Sequence, residues 1–450
     1  MASDTATPTS ISRAALVIPS AATLLALMNY TAPVTTVPAT AATLHAGATG
    51  QIWILSTISV GLSTTLLAVG GLADNFGRRR IFVIGAALLA VASAACALAP
   101  NTTVFFAGHI VQGAASAALL AAGLGIIAHS YPAGRLRAHA TGIWGAMLGA
   151  GIALGPIASA GLADVADWRL WYWVAAAGSV ALGFATLRSV PESWAENARR
   201  TDVRGMASMA AGIVALTTAI TLGRSGWSQP VVLILFVAAV VLLGGFVLVE
   251  RQAREPLLDL ALFRRPGFVA ATVGALVTGV AVIGLMSSLS ALLQRTLDVS
   301  AMESALILGV WSGLSFVSAL QAKRLVPILT ARNVLATGLA LCGIGELGLI
   351  GFGPDTSIWW LLIGLAIAGI GSGFANASLA GLAVGSVPAD HAGMGSGANN
   401  TARYLGASIG IAMIISLSQS GPHGANVAVV VSAALSLTGA GVIAFIRMSK

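Results

Sequence analysis

Long apolar runs separated by short polar punctuation repeat along the whole chain. A helix that crosses a bilayer needs roughly 20 mostly apolar residues, and a run of that length without the alternation of a strand is read as such a helix. Runs of this kind lie near 14–38, 51–72, 81–99, 103–128, 138–163 and 169–189. Two follow near 205–223 and 230–249, and six near 267–293, 302–322, 333–352, 357–385, 397–418 and 424–446. The pattern predicts an all-α membrane protein with fourteen spans. Its expected organisation is a six-helix bundle over 1–190, a two-helix insert with flanking cytoplasmic segments over 191–266, and a second six-helix bundle over 267–450. The polar start, residues 1–12, has no basic cluster, so the run from Ala14 is read as a first span and not as a cleavable leader. The segment 250–266 mixes Leu257, Leu258, Leu260, Leu262 and Phe263 with charges, a pattern suited to the membrane surface.

Composition sharpens this picture. Hydrophobic residues make up 57% of the chain and charged residues 8%, where a soluble domain has about 25% charged residues. So few charges cannot cover a water-facing surface, and lipid must be the main solvent. The 53 glycines fit closely packed membrane helices. The net charge of +8 follows from basic loops. An even number of spans puts both termini on one side, and if that side is cytoplasmic only Arg169, Arg224 and Arg295 of the 23 Lys and Arg fall outside. A plasma-membrane protein with both termini in the cytoplasm is therefore expected, and no nucleic-acid partner. Cys96 and Cys342 sit in apolar runs and read as buried thiols. No metal spacing, nucleotide loop or nucleophile–base set is present, so neither a metal, a cofactor nor an enzymatic activity is expected.

The loop after the second run reads Gly71-Leu-Ala-Asp74-Asn-Phe-Gly77-Arg78-Arg79-Arg80. Its glycines permit a tight turn between helices, and its carboxylate can meet a helix N-terminus or an arginine. A degenerate copy, Leu325-Val-Pro-Ile-Leu-Thr-Ala-Arg332, follows the tenth run. The fourth run contains His109-Ile-Val-Gln112-Gly113, and the fifth contains Gly151-Ile-Ala-Leu-Gly155-Pro156. Gly151 and Gly155 lie one helical turn apart and leave a flat face for close packing, while Pro156 removes a backbone hydrogen bond. Asp167-Trp168-Arg169-Leu-Trp171 follows, and the thirteenth run opens with Gly395-Ser-Gly397-Ala-Asn399-Asn400-Thr401-Ala-Arg403-Tyr404-Leu-Gly406.

Taken together these motifs resemble those of the major facilitator superfamily, in its fourteen-helix drug:proton antiporter branch, from about residue 14 to 446. The resemblance implies two bundles that rock about a midplane site. It also implies a monomer that exports amphipathic drugs or natural products in exchange for protons. An importer or uniporter of a small metabolite on the same fold stays open, as does a non-transporting receptor or scaffold. By the same resemblance Gly71, Asp74, Gly77, Arg78 and Arg79 form a conformational latch, with Asp74 meeting the start of the thirteenth helix near Gly395–Asn399. Gly151, Gly155 and Pro156 are the antiporter motif.

Two positions depart from the branch. Asn29 stands where an acid is usual in the first span, and His109 where an arginine is usual in the fourth. Their similar depth suggests a buried Asn–His pair, with His109 able to carry a proton. Glu346, an acid well inside the eleventh span, is the other proton candidate. The cavity expected by analogy is lined by Asn29, Tyr30, Thr31, Thr35, His109, Gln112, Ser116, Thr278, Met286, Ser287, Ser288, Ser372 and Asn376, joined by Trp144 and Met147 of the fifth span. This set carries no fixed charge, which points to a neutral or weakly charged amphiphile. Arg403 is expected to snorkel or to form a structural pair near the inner end of its helix.

Overall fold

The computed structural model describes residues 13–132, 135–194, 202–223, 226–253, 256–322, 329–351, 357–387, 392–421 and 423–446. Residues 195–201, Arg224 and the stretch Leu325 to Ile328 of the degenerate motif copy lie outside the described residues.

The first apolar run folds as two consecutive helices, α1 (Ala14–Thr31) and α2 (Pro33–Thr43). Pro33 brings no N–H to continue the ladder, so the hydrogen-bond pattern breaks there. Then come α3 (Ala48–Phe76), α4 (Arg78–Ala97), α5 (Thr102–Ser130), α6 (Arg135–Val165) and α7 (Arg169–Ser189). Next are α8 (Val203–Gly223) and α9 (Pro230–Gln252). The ninth run is α10 (Pro266–Val277), a π-helical turn over Thr278–Ile283, and α11 (Gly284–Thr296). The chain closes with α12 (Ala301–Gln321), α13 (Ala331–Leu347), α14 (Ile358–Gly385), α15 (Ala392–Ser418) and α16 (Gly424–Phe445).

Some helix starts carry side-chain caps. Asn101 accepts the Val104 N–H at 3.1 Å before α5. Ser300 and Glu303 form a reciprocal capping box before α12. Among the described residues, thirteen helical segments are long and apolar enough to cross a bilayer. The eleventh expected span, α13, falls short of that length, with only 17 helical residues ending at Leu347, ahead of Gly348. The described residues are almost all helical and include no strand. Large apolar side chains of α9, among them Ile234, Val237, Val240 and Val241, stay exposed; in a bilayer that face meets lipid tails.

Helices α1–α7 pack among themselves, as do α10–α16, and the pairings repeat. α3 packs on α5 as α12 packs on α14, α4 on α7 as α13 on α16, and α1 on α6 as α10 and the π turn on α15. The groups join where α3 meets α15 and α6 meets α12, and α8 leans on α3 and α15. At one end α2 also meets α11: Gln294 Nε2 donates to the Thr35 carbonyl at 2.9 Å. An apolar cluster that includes Val37, Leu44, Leu55, Leu289, Leu293 and Ile415 seals this closed end. The segment expected on the membrane surface buries part of its apolar face and leaves Phe263 exposed. Leu262 is buried in a 3₁₀ turn, Leu260–Arg264, and packs with Leu257, Leu258, Phe246 and Phe268.

Candidate functional site

A close crossing of α1 and α6 shapes one wall of a central cavity. A Cβ at Gly151 would stand 2.6 Å from Leu27 Cβ and 2.7 Å from the Leu24 carbonyl, and one at Gly155 would stand 2.6 Å from the Met28 carbonyl. Only glycine allows α1 and α6 to come this near, which turns Tyr30 and Thr31 beside Ile152, Ala153 and Pro156. Thr35 Oγ1 donates to the Pro156 carbonyl at 3.1 Å, so the proline's own carbonyl is used to tie α2 to α6.

The second group supplies the other wall. The π turn lies hard against α15, since a Cβ at Gly279 would be 2.7 Å from the Ala407 nitrogen. A π turn inserts an extra residue and opens the helix toward its neighbour. Between these walls lies a cavity of about 820 Å³, its open mouth included. It is lined by Tyr30, Thr31 and Val34, by Gly149, Ile152, Ala153 and Pro156, and by Thr278, Ile283, Met286 and Ser287. Ala305, Leu308, Gly309, Trp311, Ser312 and Ser315 of α12, Ser372 and Asn376 of α14, and Arg403 and Tyr404 of α15 complete it. Tyr30 and Tyr404 meet edge to face, with centroids 5.4 Å apart, and Ser59 Oγ donates to Tyr30 Oη at 3.2 Å. Asn376 Nδ2 donates to Ser372 Oγ at 3.4 Å.

Seven of the residues expected from the sequence line this cavity: Tyr30, Thr31, Thr278, Met286, Ser287, Ser372 and Asn376. Eight do not. Asn29 and His109 do not pair with each other; each is tied to a successive aromatic residue of α7. Trp171 Nε1 donates to Asn29 Oδ1 at 3.2 Å. His109 Nε2 lies 2.9 Å from Tyr172 Oη and Nδ1 lies 3.1 Å from the Ile54 carbonyl, with Phe105 packed on the ring at 4.2 Å. Both side chains are fully buried inside the first helix group. Gln112 Nε2 donates to Ser93 Oγ at 2.8 Å, facing α4. Ser116 is buried, Ser288 Oγ returns to the Gly284 carbonyl at 2.9 Å, and Thr35 is taken up by Pro156. Trp144 packs toward Ile127, Tyr131 and Ala140, and Met147 is not part of the lining.

Arg403, Tyr404 and Trp311 line the cavity although the set expected from the sequence does not include them. The sequence signal for Arg403 is an ionisable side chain inside an apolar span. A helix starting at 397, where the apolar run starts, would leave Arg403 near its inner end. The helix begins at Ala392, which sets Arg403 eleven residues in, roughly 16 Å along the axis.

Glu346 is fully buried, and Ser436 Oγ donates to its Oε2 at 3.0 Å. Its other carboxyl oxygen has no hydrogen-bond partner. Ser432, one turn before Ser436 on α16, donates to the Ala281 carbonyl in the π turn at 3.0 Å.

The glycine-arginine loop is held differently from the expected latch. Asp74 Oδ1 accepts from Arg78 Nε at 3.0 Å and Nη2 at 2.8 Å. The contact of α3 with the start of α15 is made by Leu67 and Gly397 instead. Gly77 has φ +104°, a left-handed conformation that favours glycine, and a Cβ there would press on the Glu192 carboxylate. Glu192 accepts the backbone N–H groups of Arg79 at 2.9 Å and Arg80 at 3.2 Å, which caps α4 from a distant segment. Gly71 has open space around it. Glu192→Ala should leave both donors unmet and lower stability by about 1–3 kcal/mol. A thermal denaturation of the purified protein in detergent would register this as a lower midpoint.

Comparison with known proteins adds to this geometry. A family model described as Major Facilitator Superfamily matches residues 20–411. The chain is similar to the multidrug resistance protein Stp of Mycobacterium tuberculosis, at 30% identity over 82% of this chain and 68% of that one. It is 31% identical to the puromycin resistance protein pur8 of Streptomyces alboniger, over 90% and 81% of the two chains. It is 29% identical to the multidrug efflux pump LfrA of Mycolicibacterium smegmatis, over 92% and 82%. A solved POT family transporter in complex with 5-aminolevulinic acid shares the fold, with TM-score 0.71 and 14% identity over 96% of both chains.

Proposed function

Because the chain belongs to the major facilitator superfamily, we propose that this multi-pass membrane protein is a secondary transporter that exports amphipathic drugs or natural products, in exchange for protons, by alternating access. The observation that carries the reading is the cavity. It lies between the two helix groups, and its walls mix apolar surface with hydroxyl, amide and indole groups. Such a site binds bulky apolar molecules and orients them with a few polar contacts. The relatives named for resistance and efflux agree with outward movement of such compounds.

In this reading the chain works as a monomer with fourteen spans, α13 being the shortest. α8 and α9 with their flanking segments form an insert between the bundles of 1–190 and 267–450. The basic loops support a cytoplasmic location for both termini; with that orientation the closed end faces outward, and this conformation is poised to take its cargo from the cell or the inner leaflet. Asp74, paired with Arg78 here, is free to meet the start of α15 only when the opposite end closes.

Glu346 suits the proton role better than His109. One of its carboxyl oxygens is unpartnered, and the serine one turn from its own partner on α16 holds the π turn beside the cavity. His109 has both ring nitrogens occupied and faces no cavity residue.

Inside-out vesicles carrying the protein test the proposal. With an imposed pH gradient, acid inside, they should accumulate amphipathic antibiotics from a panel that includes puromycin, and a protonophore should abolish accumulation. Uptake unaffected by the protonophore would reject proton coupling. Net movement in the opposite sense would identify an importer.

A further inference from the structure

We propose that the cavity selects aromatic amphiphiles bearing an anionic oxygen, a carboxylate or ionised phenol, and that Arg403 is the group that binds it. The inference rests on the transporter reading of the same site and names its substrate class.

Arg403 lines the cavity from the middle of α15. The cavity lining contains no Asp or Glu among the described residues. Several acids elsewhere have other partners: Asp74 with Arg78, Glu192 with Arg79 and Arg80, Asp167 with Arg169, and Glu346 with Ser436. None of the ion pairs among described residues includes Arg403. Its Nε is buried without an acceptor. A guanidinium carries five N–H donors and no acceptor, and it cannot shed its charge. Held inside a span, such a group is costly unless an acceptor meets it.

The rest of the wall holds one unmet acceptor, Asn376 Oδ1, beside further donors. Trp311 Nε1, a donor only, is also buried without a partner. The hydroxyl of Tyr30 accepts from Ser59, which leaves its own proton free to be donated. One fixed positive charge with no lining acid to neutralise it defines a site for an anionic oxygen. The fork of a guanidinium matches a carboxylate with two parallel hydrogen bonds. Around that point Tyr30, Tyr404, Trp311 and Met286 present flat or polarisable apolar surface, which suits an aromatic ring system. The neutral amphiphile expected from sequence would leave the cation unmet.

The test uses a matched panel of two- to four-ring aromatic carboxylates and their primary amides, bound to the purified full-length protein in detergent. The acids should bind at least about tenfold more tightly than their amides. Arg403→Gln should remove that preference, with an unchanged size-exclusion profile and thermal midpoint reporting that the variant is folded. Arg403→Lys should restore part of it, since charge remains but the fork is lost. Equal binding of acids and amides to the wild type, a preference that survives Arg403→Gln, or no binding of any panel member would each overturn the inference. The transport reading fails on a different result, namely no protein-dependent movement of the antibiotic panel in vesicles, so the two are distinguishable.

Discussion

Gly155→Val should yield almost no folded protein, while Gly145→Val on the same helix should be tolerated. At Gly155 the first carbon of any side chain would lie 2.6 Å from the Met28 carbonyl and 2.9 Å from Met28 Cα. Both are backbone atoms of α1, which cannot swing aside as the end of a side chain can. The two helices must separate, and the separation would pull Thr31 and Thr35 from their partners on α6. Overpacking in a tight core costs about 1–3 kcal/mol when neighbours can adjust; against backbone the cost is at the upper end or beyond. Gly145 has open space within 4 Å, so valine there changes only the helix propensity. The yield of monodisperse protein on size exclusion distinguishes them. Equal recovery of the two variants would mean that the crossing of α1 and α6 is not set by these glycines.

Glu346→Gln should separate movement from its driving force. Glutamine keeps the shape of the side chain and a carbonyl oxygen for Ser436, so the variant should fold and catalyse exchange down a concentration gradient. It cannot exchange a proton. Accumulation driven by a pH gradient should therefore fall from roughly tenfold or more to about unity, consistent with an intramembrane acid acting in a proton relay. The path from that site to the cargo is short and physical. Ser436 binds the carboxyl, Ser432 on the same helix binds the Ala281 carbonyl, and the π turn that contains Ala281 presents Thr278 and Ile283 to the cavity. His109→Gln is the contrast. It should destabilise the protein, because Tyr172 and the Ile54 carbonyl lose a well-placed ring, yet leave the remaining folded fraction coupled. Uphill accumulation by Glu346→Gln at the wild-type level would place the proton elsewhere.

The architecture was legible because the thickness of a bilayer imposes a length on each apolar run. The motif glycines were legible because close approach admits no side chain, and Gly151 and Gly155 sit at the α1–α6 crossing accordingly. What the sequence could not supply was the rotation of each helix about its axis. In water the polar stripe marks the outer face, but in lipid both the core and the surroundings are apolar, so hydropathy does not tell a lipid face from a packed one. Asn29 and His109 illustrate this: similar depth suggests a pair, yet both turn toward α7 and bind Trp171 and Tyr172. Gln112 turns to α4 for the same reason. For Arg403 the obstacle is a boundary. The polar run Gly395–Asn400 reads as the edge of a span, but it is helical from Ala392 onward, which carries the arginine inward to the cavity.

Alternating access requires the sealed end to open while cargo is moved. Spin labels at Ala42→Cys and Arg295→Cys, exposed positions on α2 and α11, report that distance by double electron–electron resonance with the protein in lipid nanodiscs. A single short distance should be joined by a second, longer one when the pH is lowered or a transported antibiotic is added. One unchanging distance under every condition, in a protein that still transports, would contradict the account.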